Sequence, residues 1–195
     1  MSIAFKQAFA GNHIQFLAAR DIAQNNSNWQ AIGVWQVPAA ASGTIAVSGM
    51  SPQRSAIPAG TAQAFTLSLT DSQGANDIGI VNLLVNNFID GRQGCYLAYV
   101  ASSNTLLLVD DAGDAGGPFA GSMTLNGSAG SIHNSQCTVS ATGSSAAAAG
   151  NILTLTLNIA FQSGFGGDHI LYAAGRDGSG ANNTGWQAIG TVTVQ

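Results

Sequence analysis

Hydrophobic and polar positions alternate along most of this chain with the two-residue period of a β-strand. Leu153, Leu155, Leu157, Ile159 and Phe161 take turns with Thr154, Thr156, Asn158 and Ala160, which predicts a strand with one buried and one wet face. Phe65, Leu67 and Leu69 against Thr66, Ser68 and Thr70 predict a second, ending in the turn-forming run 71–77. The segment 78–87 is more uniformly apolar, as expected of a strand covered on both faces. Further strands are predicted at 95–100, 105–109, 122–125, 131–140, 169–174 and 186–194, with loops at 110–117 and in the Ser/Ala/Gly run 141–150. About ten short strands with turn chemistry between them predict an all-β fold, an antiparallel β-sandwich.

The same pattern occurs twice at the two ends. Ile3, Ala4, Phe5, Phe9, Gly11, His13 and Ile14 return as Ile159, Ala160, Phe161, Phe165, Gly167, His169 and Ile170 at a constant offset. Ala18, Arg20 and Asp21 return as Ala174, Arg176 and Asp177. After a one-residue insertion, Asn25, Asn26, Trp29, Gln30, Ala31, Ile32, Gly33 and Val37 return as Asn182, Asn183, Trp186, Gln187, Ala188, Ile189, Gly190 and Val194. Nothing between 38 and 150 occurs twice, so residues 1–37 read as the last strands of one repeat and 38–195 as a complete unit of roughly 157 residues. We expect about three strands in residues 2–37 and a junction at Val37, Pro38 and the Ala/Ser/Gly run that follows. A repeat cut in mid-unit also suggests a fragment of a longer, tandem polypeptide.

Composition supports an all-β reading and narrows function. Charged residues are 7% of the 195, Glu is absent, and Lys6 is the only lysine, so strong helix formers are scarce. A net charge of −4 offers no basic stripe for phosphates, which argues against nucleic acid and against anionic membrane surfaces. No apolar run approaches the roughly 20 residues of a spanning helix, and the first residues lack the basic and apolar regions expected of an export signal. Low charge with abundant Ala, Gly, Ser, Thr and Asn fits a secreted bacterial surface protein or a filament subunit. Cys95 and Cys137 both lie in strand-like contexts; we expect a disulfide, against two separate buried thiols as the alternative, and a bridge implies an oxidising compartment.

The stretches 16–29 and 172–186, each an aromatic strand leading to Asp, an Asn/Gly turn and Trp, resemble the late hairpin of fibronectin type III and bacterial immunoglobulin-like domains. The middle of the chain, with AspGlyArgGlnGlyCysTyrLeuAlaTyr, resembles repeats of large secreted bacterial proteins. The resemblance implies a sandwich, extracellular use and no catalysis, and supplies no ligand.

Candidate chemistry is sparse. His13 and His169 occupy duplicated positions, which suits a structural hydrogen bond better than catalysis, since the first copy lacks most of the unit that would supply partners. His133 reads as a surface strand residue. No zinc spacing and no GlyXaaSerXaaGly elbow is present, and all nine aspartates lie in or beside predicted turns. Asp71 with Asp77, and Asp110, Asp111 and Asp114, make acidic loops whose oxygen chemistry suits weakly bound calcium; the plain alternative is turn capping. The ArgAsp pairs at 20–21 and 176–177 suggest an ion pair or turn clamp. Trp29 and Trp186 are expected to plug the sandwich end, leaving Trp35, which becomes Val192 in the other copy, to meet a partner within or outside the chain.

Three strands with one apolar face are not stable alone. Residues 1–37 must therefore extend a sheet of the unit or pair with a neighbouring chain, and Ile3, Phe5, Phe9, Ile14, Phe16 and Trp35 are the expected contacts. The expected function is a non-enzymatic extracellular structural or adhesive protein whose partner is itself; the alternative is a glycan-binding module of a secreted enzyme.

Overall fold

The structure is a computed structural model that describes residues 2–38 and 44–195; the run 39–43, where the junction was expected, lies outside the described residues. Fourteen strands form among the described residues, with short 3₁₀ turns and no α-helix. They are β1 Gly11–Leu17, β2 Gln30–Val37, β3 Ile45–Ser51, β4 Arg54–Ile57, β5 Ala62–Asp71, β6 Ile78–Asn86 and β7 Cys95–Val100. There follow β8 Thr105–Val109, β9 Phe119–Thr124, β10 Ser131–His133, β11 Cys137–Ala149, β12 Ile152–Phe161, β13 Gly167–Asp177 and β14 Gln187–Val194.

A five-stranded sheet in the order β10-β11-β12-β5-β3 faces a seven-stranded sheet in the order β4-β14-β13-β6-β7-β8-β9. Pairing is antiparallel except where β4 runs parallel to β14 at the edge. The alternation read in the sequence sets which side chains meet between them. Phe65, Leu67, Leu69, Leu155, Leu157 and Phe161 from one sheet interlock with Leu83, Val85, Leu97, Leu106, Leu108 and Leu171 from the other, all almost wholly buried. β6 is covered on both sides, as its uniform apolarity predicts: Leu83 points into this core and Leu84 into a second cluster on the far side. Cys95 on β7 and Cys137 on β11 form a disulfide between the two sheets, with Cα atoms 5.6 Å apart.

Three sequence expectations change. The 141–150 run is no loop, because β11 continues through it and Ser145 to Ala149 pair with Thr156 to Ile152. Side chains this small carry no alternation to read; the long apolar β12 beside them and the tight turn at Gly150 and Asn151 impose the pairing. A break in register between Ser140 and Ser145 holds Gly143 at φ +84°, where a Cβ is disfavoured. The expected strand 131–140 is two strands, separated where Asn134 Oδ1 accepts the amides of Gln136 and Cys137. β3 and β4 were not anticipated; their apolar positions Ile45, Val47, Met50 and Ile57 join the main core.

The N-terminal segment forms two strands, not three. In the second copy, Ile159 to Phe161 end β12, paired with β11 throughout and with β5 as far as Ala160. Their counterparts Ile3 to Phe5 have no such neighbours and are not in a strand. Among the described residues β1 and β2 pair only with each other and extend neither large sheet. The hairpin lies instead across the outer face of the seven-stranded sheet as a third layer, over β13 and β14.

Candidate assembly surface

Each copy of the repeat builds the same local device. In the second, the Phe161 and Phe165 rings stack with centroids 5.7 Å apart, Phe165 stacks on the His169 imidazole at 3.9 Å, and His169 Nε2–H donates to the Phe165 carbonyl at 3.1 Å. In the first, Phe5 and Phe9 stack at 5.5 Å, Phe9 and His13 at 3.8 Å, and His13 Nε2–H donates to Phe9 at 2.9 Å. The 3₁₀ turns Gln7–Phe9 and Ser163–Phe165 set this geometry by bringing the fourth residue back over the carbonyl.

The environments of the two devices are opposite. Phe161 is 1%, Phe165 6%, His169 5% and Val192 0% exposed, because they are enclosed between the two large sheets. Phe5 is 39%, Phe9 46% and Trp35 50% exposed, with Trp35 leaning on Phe5 at 5.7 Å, and Ile3 and Leu17 are also exposed. A surface built to the pattern of a sandwich core thus stands in solvent, and it is the largest concentration of exposed aromatics in the N-terminal hairpin. Burial holds the His169 pKa below its ordinary value of 6.5, against the pull of the Phe165 carbonyl and the nearby Asp168.

The hairpin's other face is taken up within the chain. Ala31 is buried with Leu84, Tyr96, Val109, Ile170, Tyr172 and Ala188, and Ile14, Val34 and Trp186 pack against that cluster. Asn12 Nδ2–H donates to Gln187 Oε1 at 2.9 Å across the layers. The six expected contact residues are therefore divided: Ile14 serves the internal joint, Phe16 sits at its rim beside Asp168 and Ile170, and Ile3, Phe5, Phe9 and Trp35 form the free face.

Trp29 does not plug an end but is 74% exposed, while its counterpart Trp186 packs edge-on against Tyr96 at 5.7 Å. The duplicated aspartates clamp turns without ion pairs. Asp21 accepts from the Asn25 amide and side chain, and Asp177 from Asn182 and Ser179, so both carboxyls are held below their ordinary pKa chiefly by those asparagine side chains. Arg20 donates to Gln24 instead. The one ion pair among the described residues is Arg92 with Asp90 at 2.6 Å, which draws the Asp90 pKa down to about 2.

The acidic loops also close turns. Asp71 is buried, and its Oδ1 accepts from the Gln73 amide at 2.8 Å; Asp110 and Asp114 accept from the amides of Ala112 and Gly116. Asp111 reaches across to the Ser135 amide and hydroxyl, and Asp77 offers its main-chain carbonyl to Gly178. Among the described residues no three His, Cys, Asp or Glu side chains converge as a metal-ligand group. His133 is exposed on β10, and no described helix is long and apolar enough to cross a membrane.

Comparison with family models, characterised proteins and solved structures gave no match. The functional reading therefore rests on the geometry. Sequence reasoning singled out Ile3, Phe5, Phe9 and Trp35 through the repeat together with Ile14 and Phe16, and it missed the internal joint; the outward pattern Ile170, Tyr172 and Ala188, apolar on the outer side of β13 and β14, was the signal that would have shown it.

Proposed function

We propose that this chain is a non-enzymatic, extracellular structural or adhesive β-sandwich that assembles with its own kind through the N-terminal hairpin, as a tandem array or filament. The observation that carries this reading is the contrast between the copies: positions that are core in 158–195 are exposed in 2–37 with their stacking intact. Stripping water from such aromatics supplies roughly 25 cal/mol per Å² of apolar area. The disulfide fits an oxidising compartment outside the cytosol. The repeat and its hairpins accord with fibronectin type III and bacterial immunoglobulin-like arrays.

Exposure of Trp29 and Trp35 supports a second reading, a carbohydrate-binding module of a secreted enzyme, since flat aromatic faces stack on sugar rings. Negative-stain images and sedimentation of the full chain beside a Phe5→Asp/Phe9→Asp/Trp35→Asp variant separate the two. Assembly reads as polymers or large oligomers that the variant abolishes. A chain that never assembles, yet is stabilised thermally by a glycan and loses that response on Trp29→Ala or Trp35→Ala, belongs to the second reading.

A further inference from the structure

The two layers of the internal joint are two copies of one hairpin, and they meet through the same face. Ile14 and Ala31 of the first copy correspond to Ile170 and Ala188 of the second, and all four belong to one cluster. Gln30 corresponds to Gln187, and Asn12 to Asp168. At one end of the joint Asn12 lines a cleft with Val34 and Ala188 and bonds Gln187. At the other end Asp168 lines a cleft with Gln30 and Ala31, the counterparts of Gln187 and Ala188. Exchanging the two hairpins therefore maps the contact approximately onto itself, which is the property of a two-fold, isologous interface.

We infer that the outer face of the seven-stranded sheet, around Ile170, Tyr172 and Ala188, is a self-complementary docking surface for a second copy of this sandwich, and that the N-terminal hairpin is its intramolecular occupant. The hairpin seated on it identifies the partner, because that hairpin is a repeat copy of the β13–β14 hairpin beneath it, with the same pairing register and bulge. When the hairpin is absent, the β13–β14 face of a second copy takes its place. The Gln187 amide N–H of each copy then donates to the Asp168 carboxylate of the other, where Asn12 now bonds Gln187. A contact of this kind closes at two copies and does not propagate. It is separate from the free aromatic face, which points the other way.

The main core draws no buried residue from 2–38 among the described residues, and the disulfide lies within 44–195, so the sandwich can be tested without its hairpin. Light scattering of a 44–195 chain should give a dimer that grows no further with concentration, and Ile170→Asp in that chain should raise the dimer dissociation constant at least about 100-fold, as expected for a charge at the centre of an apolar interface. Should 44–195 misfold, the full chain decides. Ile14→Asp/Val34→Asp, placed in a Phe5→Asp/Phe9→Asp background so that the aromatic face contributes nothing, should release the hairpin and yield the same closed dimer, with β13–β14 amides protected on dimerisation. Monomers under both conditions, a dimer indifferent to Ile170→Asp, or open-ended growth would overturn the inference. Loss of assembly in the aromatic variants alone bears on the proposed function and leaves this joint intact.

Discussion

At the scale of single residues, duplication supplies an internal control: one side chain, two environments. Phe165 is enclosed and Phe9 is half in solvent although their stacking partners match. Phe165→Ala should therefore cost about 3–5 kcal/mol of unfolding free energy, whereas Phe9→Ala should cost about 0.5 kcal/mol or less, both read by denaturant unfolding of dilute protein. Gly175 is a similar case. A Cβ there would collide with Leu69 Cδ2, and the first copy, with nothing above it, carries Ala19 at the matching position. Gly175→Ala should lower stability by about 1–3 kcal/mol through overpacking. His169 carries a pH dependence of known sign. Its folded pKa is lowered by burial from 6.5, so below about pH 6.5 the unfolded chain binds the extra proton and stability falls; above it the contribution is complete. The urea midpoint of the wild type should drop between pH 7 and 5 more steeply than that of His169→Gln, and parallel curves would refute this.

At the scale of elements, strands with strong alternation were legible and those without it were not. β5 and β12 could be read from Leu and Thr taking turns, and β6 from its continuous apolarity. The second half of β11 has only Ser, Ala and Gly, so its strand state comes from neighbours and not from its own pattern. Ile3 to Phe5 fail in the opposite direction: they carry the strand pattern of Ile159 to Phe161 but lack strands to pair with. The disulfide was legible as a spacing between two strand-like contexts, although its crossing from one sheet to the other was not. On the chain-entropy model a closed loop of this length contributes about 4 kcal/mol. Denaturant unfolding of a Cys95→Ala/Cys137→Ala chain should show a loss of that order.

At the scale of the whole molecule, the arrangement is a sandwich with a third, thinner layer whose two faces differ in use. The inner face of the hairpin is held on β13 and β14 by Ile14, Ala31, Val34 and the Asn12–Gln187 bond. Its outer face repeats the apolar ladder of the sandwich core and stands exposed among the described residues. The repeat in the sequence pointed to the free face, because a partial unit needs a partner. It could not reveal that the partial unit lies over a sheet instead of continuing one, since alternation fixes which side chains share a face but not which layer that face meets. The most direct test of assembly through the free face is the mass of the oxidised full chain by light scattering over a concentration series, beside Phe5→Asp/Phe9→Asp. The account predicts mass that climbs with concentration for the natural sequence and stays low for the variant; a natural chain that remains a monomer at every concentration would contradict it.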